Sequence, residues 1–216
     1  MPVGQKTLLQ VAIDSYVLPS SGLTVAVDKI EAATWDIEGH IQAFSPKANI
    51  TLVPRQARGA LASALYAVNH ARPEEPLVIA AGDSIIRGGI SSHIEYLLTR
   101  RADAGTVVFD STGERWSYLS ADAKGNVTEV AEKYQLGNLA TTGVFFFRTA
   151  KSFVDAAQWV LLQNANVEGN FYVSTALNFL ISQSKAVKYS SVEANDYLSW
   201  SRPADFFRNS QRGASE

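Results

Sequence analysis

Four short runs of polar and small residues stand out as places where chemistry can be done. Gly82-Asp83-Ser84 follows directly on the apolar run PLVIAA at 76–81. In an open parallel sheet, ligands bind beyond the carboxyl ends of the strands. A carboxylate at that point can hold Mg²⁺, which neutralises phosphate oxygens; alternatively, Asp83 caps the turn or helix that follows. Arg58-Gly59-Ala60 opens a segment rich in small residues. Glycine there permits close backbone approach, and helix N-terminal N–H groups favour anions or base edges. Tight helix–sheet packing explains the same residues equally well. Glu132-Lys133 ends the run that starts at Val127 and can hold sugar hydroxyls and a phosphate, or be a solvated strand end. Thr141-Thr142-Gly143 opens the very apolar stretch VFFF.

The elements that must position these residues alternate in type. Leu8, Leu9, Ala12, Ile13 and Tyr16 share one helix face. Residues 23–27 form a short apolar strand, Trp35, Ile37, Ile41 and Phe44 mark a second helix, and 50–53 form another strand. A helix over 59–69 and a strand over 76–81 follow. Strands separated by helices point to βαβ units. The second half carries four strand-like runs, at 106–109, 116–120, 127–132 and 142–148, punctuated by Gly113 and a Lys124-Gly125-Asn126 turn. Helices are predicted over 150–163 and 173–183, a strand over 186–192, and a last helix from Pro203, with a polar tail over 210–216.

The totals bound the possibilities. The chain has 216 residues, enough for one domain over 1–216 with a buried core, and 46% of them are hydrophobic. A net charge of -2 offers no basic excess for nucleic acid or a membrane surface. No cysteine is present, which excludes disulfides, thiolate metal sites and a cysteine nucleophile, and fits a cytoplasmic setting. No stretch approaches the roughly 18 apolar residues of a membrane span, and no signal peptide is evident. His40, His70 and His93 have no ligand spacing; His40 and His70 fall where helices are expected to end. No Ser/His/Asp set and no P-loop occur.

The order of the motifs resembles the sugar-phosphate nucleotidyltransferase family, in particular its capsule-biosynthesis branch. Pro2-Val3-Gly4-Gln5-Lys6 looks like the family's "PVGGKP" segment. RGALASAL is similar to its nucleotide-contact helix, and PLVIAAGDS to its metal-holding strand and aspartate. WSYLSADAKGNVTEVAEKY resembles the sugar-phosphate hairpin. ATTGVFFFRTAKSFVDAA, NFYVSTALNFLI and YLSWSRPADF follow in family order. The resemblance implies an α/β, Rossmann-like nucleotide-diphospho-sugar transferase fold, with a mixed, mostly parallel sheet, helices on both faces and a β-rich sugar-binding half. It implies a reaction that joins an NTP to a sugar 1-phosphate with release of pyrophosphate. Asp83 would hold the metal, Mg²⁺. Gly59, Ala60 and Gly82 would line the nucleotide, and Ser117, Glu132, Lys133, Thr142 and Gly143 the sugar phosphate. The implied partners are an NTP or NDP-sugar and a sugar phosphate, and a homo-oligomer is compatible with the family.

The sequence also departs from that pattern. The family's "G-x-G-T-R…P-K" loop, with its catalytic Arg and Lys, is expected upstream of Met1, together with the first strand. No catalytic residue is therefore assigned within 1–216, and weak or no catalysis is expected. A late-assigned start, with Met1 an internal residue of a longer protein, a degenerate relative and a partner that fills the gap are three accounts of this. The family's second metal aspartate matches Ser199, with Asp196 and Asp205 out of register, and a hydroxyl is a poorer Mg²⁺ ligand than a carboxylate. Ser117 stands where many relatives have glycine, and Pro54 where some have a base-reading glutamine. Without the first strand, residues 23–27 and 76–81 are expected to carry unpaired backbone groups. A non-catalytic sugar-nucleotide-binding relative is the alternative reading. A metal-dependent glycosyltransferase is a minor one, since Ser84 and Ile85 after Asp83 break a D-x-D motif.

Overall fold

One-sided apolar patterns make the helices, and short two-sided apolar runs make the central strands. The structure, a computed structural model, describes residues 2–3, 6–19, 21–202 and 205. In chain order the elements are β1 (Pro2–Val3), β2 (Lys6–Thr7), α1 (Leu8–Tyr16), β3 (Thr24–Asp28), α2 (Lys29–Trp35), α3 (Ile37–Phe44), β4 (Asn49–Val53) and α4 (Ala60–Ala67). A 3-10 turn, Val68–His70, leads to β5 (Leu77–Ala80), β6 (Ser84–Ile86), α5 (Ser91–Thr99), β7 (Ala104–Asp110), β8 (Ser117–Ala121), β9 (Val127–Glu132) and β10 (Leu139–Phe147). Then come α6 (Ala150–Leu162), α7 (Val173–Ser182), β11 (Val187–Ser191) and β12 (Tyr197–Ser199). The helix expected from Pro203 lies outside the described residues, and so does Met1.

The main sheet has the order β11-β7-β10-β8-β9, with β5 also paired to β10. Its hub is β10, which runs antiparallel to β5, β7 and β8. The α/β class with helices on both faces holds, while pairing in this sheet departs from the mostly parallel expectation. Among the described residues its one parallel pair is β11–β7, because β10 returns antiparallel between strands of the other direction. A separate parallel pair, β3–β4, stands apart from it.

Alternation along β10 divides the core. Phe145 and Phe147 face a cluster built with Phe153, Val160 and Leu177 of α6 and α7. Val144 and Phe146 face the opposite cluster, with Ile94 and Leu97 of α5. A third, smaller cluster joins Ile13, Ile41 and Ala48 around β3 and β4. Among the described residues β3 pairs along one edge with β4, and β5 along one edge with β10. All four residues of β5 are only half-buried although their side chains are apolar.

Three local features differ from the sequence reading. The second helix is two: Asp28 caps α2 by accepting from Ile30 and Glu31 N–H at 2.8 and 3.1 Å, and Asp36, at φ 46°, breaks it from α3. His40 accordingly sits inside α3 rather than at a helix end. Helix α5 has no counterpart in the sequence reading, and neither does the short pair β6–β12.

Candidate functional site: a cleft where two strands share one edge of β10

Strand β5 occupies one edge of β10 through Val144–Phe147, and β8 occupies the same edge at Ala140. Between these contacts β10 is irregular, with a register shift between Thr141 and Phe145. Gly143 lies inside it at φ 83°, and its carbonyl accepts the N–H of Ala81 at 3.2 Å. A Cβ at Gly143 would come within 3.0 Å of the Ala81 Cβ, so glycine serves close approach there. The carboxyl end of β5, carrying Asp83, thus converges with the start of β8 over residues 141–143. A split between neighbouring strands at their ends is where α/β sheets open a crevice.

Asp83 forms one corner. Its carbonyl accepts the N–H of Trp200 at 2.8 Å. Beside it Ser84 pairs with Ser199 across β6–β12, and the Ser84 hydroxyl lies 2.9 Å from Tyr16 Oη. Ser15 secures α1 to this corner, donating to the Ile86 carbonyl at 3.0 Å and accepting its N–H at 3.1 Å. The outer side of Asp83 is open to solvent, yet the protein packed around its base desolvates it and raises its carboxyl above the ordinary aspartate range; Arg115 opposes the shift. Desolvation also pushes the Tyr197 phenol up to about 12, against hydrogen bonds from Ser84 and Ser199.

Nothing in the sequence singles out Arg115, yet it organises this corner. Its guanidinium binds Asp205 in bidentate fashion, at 2.8 and 3.2 Å, and Ser201 Oγ at 3.0 Å. It lies 3.9 Å from the centroid of the Trp116 ring, which in turn packs on Phe109 and Tyr197. Asp205 is buried, with 7% of its surface exposed. No sequence signal marks this pair, because its members are 90 residues apart.

Glu132 forms the other corner. It sits opposite Ser117 in the β8–β9 register, and cross-strand neighbours on one face touch. Ser117 donates to Glu132 Oε2, and so does Ser174 of α7, at 2.8 Å. Burial raises the Glu132 carboxyl above its ordinary range, opposed by these two hydroxyls and by Lys133. Lys133, at φ 54°, pairs with the exposed Glu168 and lies 5.9 Å from the Tyr172 ring. That ion pair raises the ammonium above the ordinary lysine range. Asn178 clamps the strand to α7 by bonding both the N–H and the carbonyl of Val130, at 2.9 and 2.8 Å.

The other sequence candidates fall outside these two corners. Thr142 is buried, and its hydroxyl donates to the Val107 carbonyl at 3.1 Å. Gly82 is exposed, with open space where a Cβ would stand. Gly59, at φ 85°, lies against Phe171: a Cβ would approach the Phe171 carbonyl oxygen to 2.3 Å. That carbonyl also accepts the N–H of Leu61 at 3.1 Å. Close packing of α4 on the segment leading into α7 accounts for Gly59-Ala60, with one N-terminal N–H of the helix already used by protein.

The donor set around Asp83 does not fit a two-carboxylate Mg²⁺ site. Ser199 supplies a hydroxyl where the resemblance asks for a carboxylate, and Asp205 is committed to Arg115. Among the described residues no group of three His, Asp or Glu side chains is arranged to hold a metal.

No protein-family description matches the sequence, and no curated protein matches it. Solved structures do. A nucleoside-diphosphate-sugar pyrophosphorylase from Vibrio cholerae RC9 superposes with a TM-score of 0.84 at 15% identity, over 98% of this chain and 90% of that one. The chain shares the fold of that protein. A Bacillus anthracis protein described as a candidate glucose-1-phosphate thymidylyltransferase, solved with sucrose, gives 0.77 at 12% identity, over 100% and 86% of the chains. HddC from Yersinia pseudotuberculosis gives 0.59 at 15% identity, over 82% and 73%. Among the described residues no helix is long and apolar enough to cross a membrane.

Proposed function

We propose that this chain binds a sugar 1-phosphate in the cleft between Glu132 and Asp83 and belongs to a nucleotidyl-transfer reaction in polysaccharide precursor synthesis. The observation that carries this reading is the Glu132 corner. Two hydroxyls hold one carboxylate oxygen, so the other is oriented to accept from sugar hydroxyls. The Lys133–Glu168 pair is solvent-exposed and therefore weak, so Lys133 can exchange Glu168 for a phosphate. In the transfer, a phosphate oxygen of the sugar 1-phosphate attacks the α-phosphorus of an NTP. The bond from that phosphorus to the bridging oxygen breaks, and pyrophosphate leaves with the electron pair. Such catalysis is positioning plus charge neutralisation. Glu132, Ser117 and Lys133 position the acceptor, and Gly82 leaves open space beside Asp83.

A second reading, binding of a sugar nucleotide without turnover, is favoured by one feature: the Asp83 corner holds an Arg115–Asp205 pair and Ser199 instead of a second free carboxylate. Both readings predict binding, and they part on turnover. The protein is incubated with ATP, CTP, GTP, UTP and dTTP, Mg²⁺ and a panel of sugar 1-phosphates, and pyrophosphate is measured. Release with one pair establishes transfer. A melting temperature raised by an NDP-sugar without release establishes the binding role. Neither release nor a shift across the panel overturns both.

A further inference from the structure

We propose that a second site, separate from the cleft, binds a phosphorylated small molecule in the concavity between α5, β11 and the β8–β9 turn. The concavity measures about 440 Å³, within the size range of small-molecule sites. It lies at the turn end of the β8–β9 hairpin, whereas Glu132 ends β9 at the opposite end. Arg100, Lys124 and Lys188 line it, and no carboxylate does. In a chain of net charge -2, three cations around one hollow create a local positive potential that draws anions.

Two of the three cations, Lys188 and Arg100, are held in place. Lys188 Nζ bonds Asn126 Oδ1, and an Asn126–Lys188 bridge fastens the turn to β11. The Arg100 guanidinium lies 5.2 Å from the Tyr96 ring centroid, a stacking that pre-orients the planar fork used for phosphate oxygens. The nearby acid is Asp122, and its carboxylate is turned into its own loop. It accepts the N–H groups of Lys124 and Asn126, each at 2.8 Å, and the Asn126 side-chain amide at 2.7 Å. Ser190 adds a hydroxyl fixed by His93 Nδ1 at 2.8 Å, and Tyr189 completes the wall. Two fixed cations, an exposed third and an oriented hydroxyl, with the Asp122 carboxylate engaged by its own loop, are groups that recognise a phosphate.

The test is a titration of the ¹⁵N-labelled full chain with inorganic pyrophosphate, followed by amide shifts. Saturable shifts are expected at Gly125 and Ser190, with a Kd at or below about 1 mM, near -4 kcal/mol. The double variant Arg100→Gln, Lys124→Gln alters two exposed residues and should weaken these shifts at least about tenfold, or 1.4 kcal/mol. Its spectrum elsewhere reports an intact fold. Lys133→Met, in the cleft, should leave them unchanged. Shifts confined to Gly82 and Lys133, shifts that never saturate, or a Kd indifferent to the double variant would overturn the proposal. None of these outcomes depends on whether the cleft transfers nucleotides.

Discussion

The two corners of the cleft are built from the same materials, carboxylates, serines and one cation each, yet they hold charge in opposite ways. At the Glu132 corner the carboxylate is fixed by neutral hydroxyls, and the cation, Lys133, is tied to an exposed partner. Its charges remain available to a ligand. At the Asp83 corner the cation, Arg115, is locked to the buried Asp205 and stacked on Trp116. That arrangement stabilises the protein and leaves little for a ligand. On the function proposed here, one corner is a binding site and the other a structural joint.

The sharpest way to break this contrast is to cut the joint. Asp205→Ala strands a largely buried guanidinium and should lower unfolding free energy by about 3–5 kcal/mol, while Arg115→Met with Asp205→Leu should recover most of it. The corresponding cut at the other corner, Glu168→Ala, should cost no more than about 1 kcal/mol. Chemical denaturation measures all three, and equal losses at the two corners would erase the distinction.

Restoring the carboxylate that the family pattern places at Ser199 should convert the joint towards a metal site. Ser199 is buried, so Ser199→Asp introduces a desolvated charge and should cost about 1–3 kcal/mol in EDTA. Millimolar Mg²⁺ should recover part of that melting temperature and leave the wild type unmoved. A wild type stabilised equally by Mg²⁺ would show that one carboxylate suffices.

A smaller effect is expected from Lys133→Met. Glucose 1-phosphate binding, measured calorimetrically, should weaken about tenfold, or 1.4 kcal/mol, with stability changed by less than about 0.5 kcal/mol. Unchanged affinity would remove Lys133 from the phosphate site.

The smallest effect is a pH dependence. Burial raises the folded carboxyl of Glu132, so the native state holds this proton more tightly than the unfolded chain. The resulting stabilisation is complete below the ordinary glutamate value and is lost as pH rises through the raised folded value. Glu132→Gln removes the titration, so the stability difference should move in favour of the variant from acid to neutral pH. A difference that stays flat with pH would show that Glu132 ionisation is not linked to folding.

Elements with a strong local pattern are legible in the sequence alone. Helix α1 and strand β9 have the same bounds as their apolar periodicity predicts, because a surface helix or half-buried strand needs only its own residues to declare one face. Helix α5 is not legible in this way: its buried residues are Ile94 and Leu97, too short a stripe to stand out among Ser, His, Glu and Tyr. Gly59 is legible as a place of close approach but not as to what approaches; the Phe171 backbone decides that, 112 positions later by the numbering.

The sequence by itself determined the alternation of elements, the short strands of the second half and the Glu132-Lys133 pair at the end of one of them, since these depend on neighbours within a few residues. It could not determine that β10 would be an antiparallel hub shared by β5 and β8, since strand pairing is a choice among distant partners. Nor could it place Arg115 against Asp205. Ion pairing across 90 residues depends on where the folded chain brings its charges and on how far it excludes water there, and tertiary structure alone fixed that Arg115 meets the buried Asp205 while Lys133 meets the exposed Glu168.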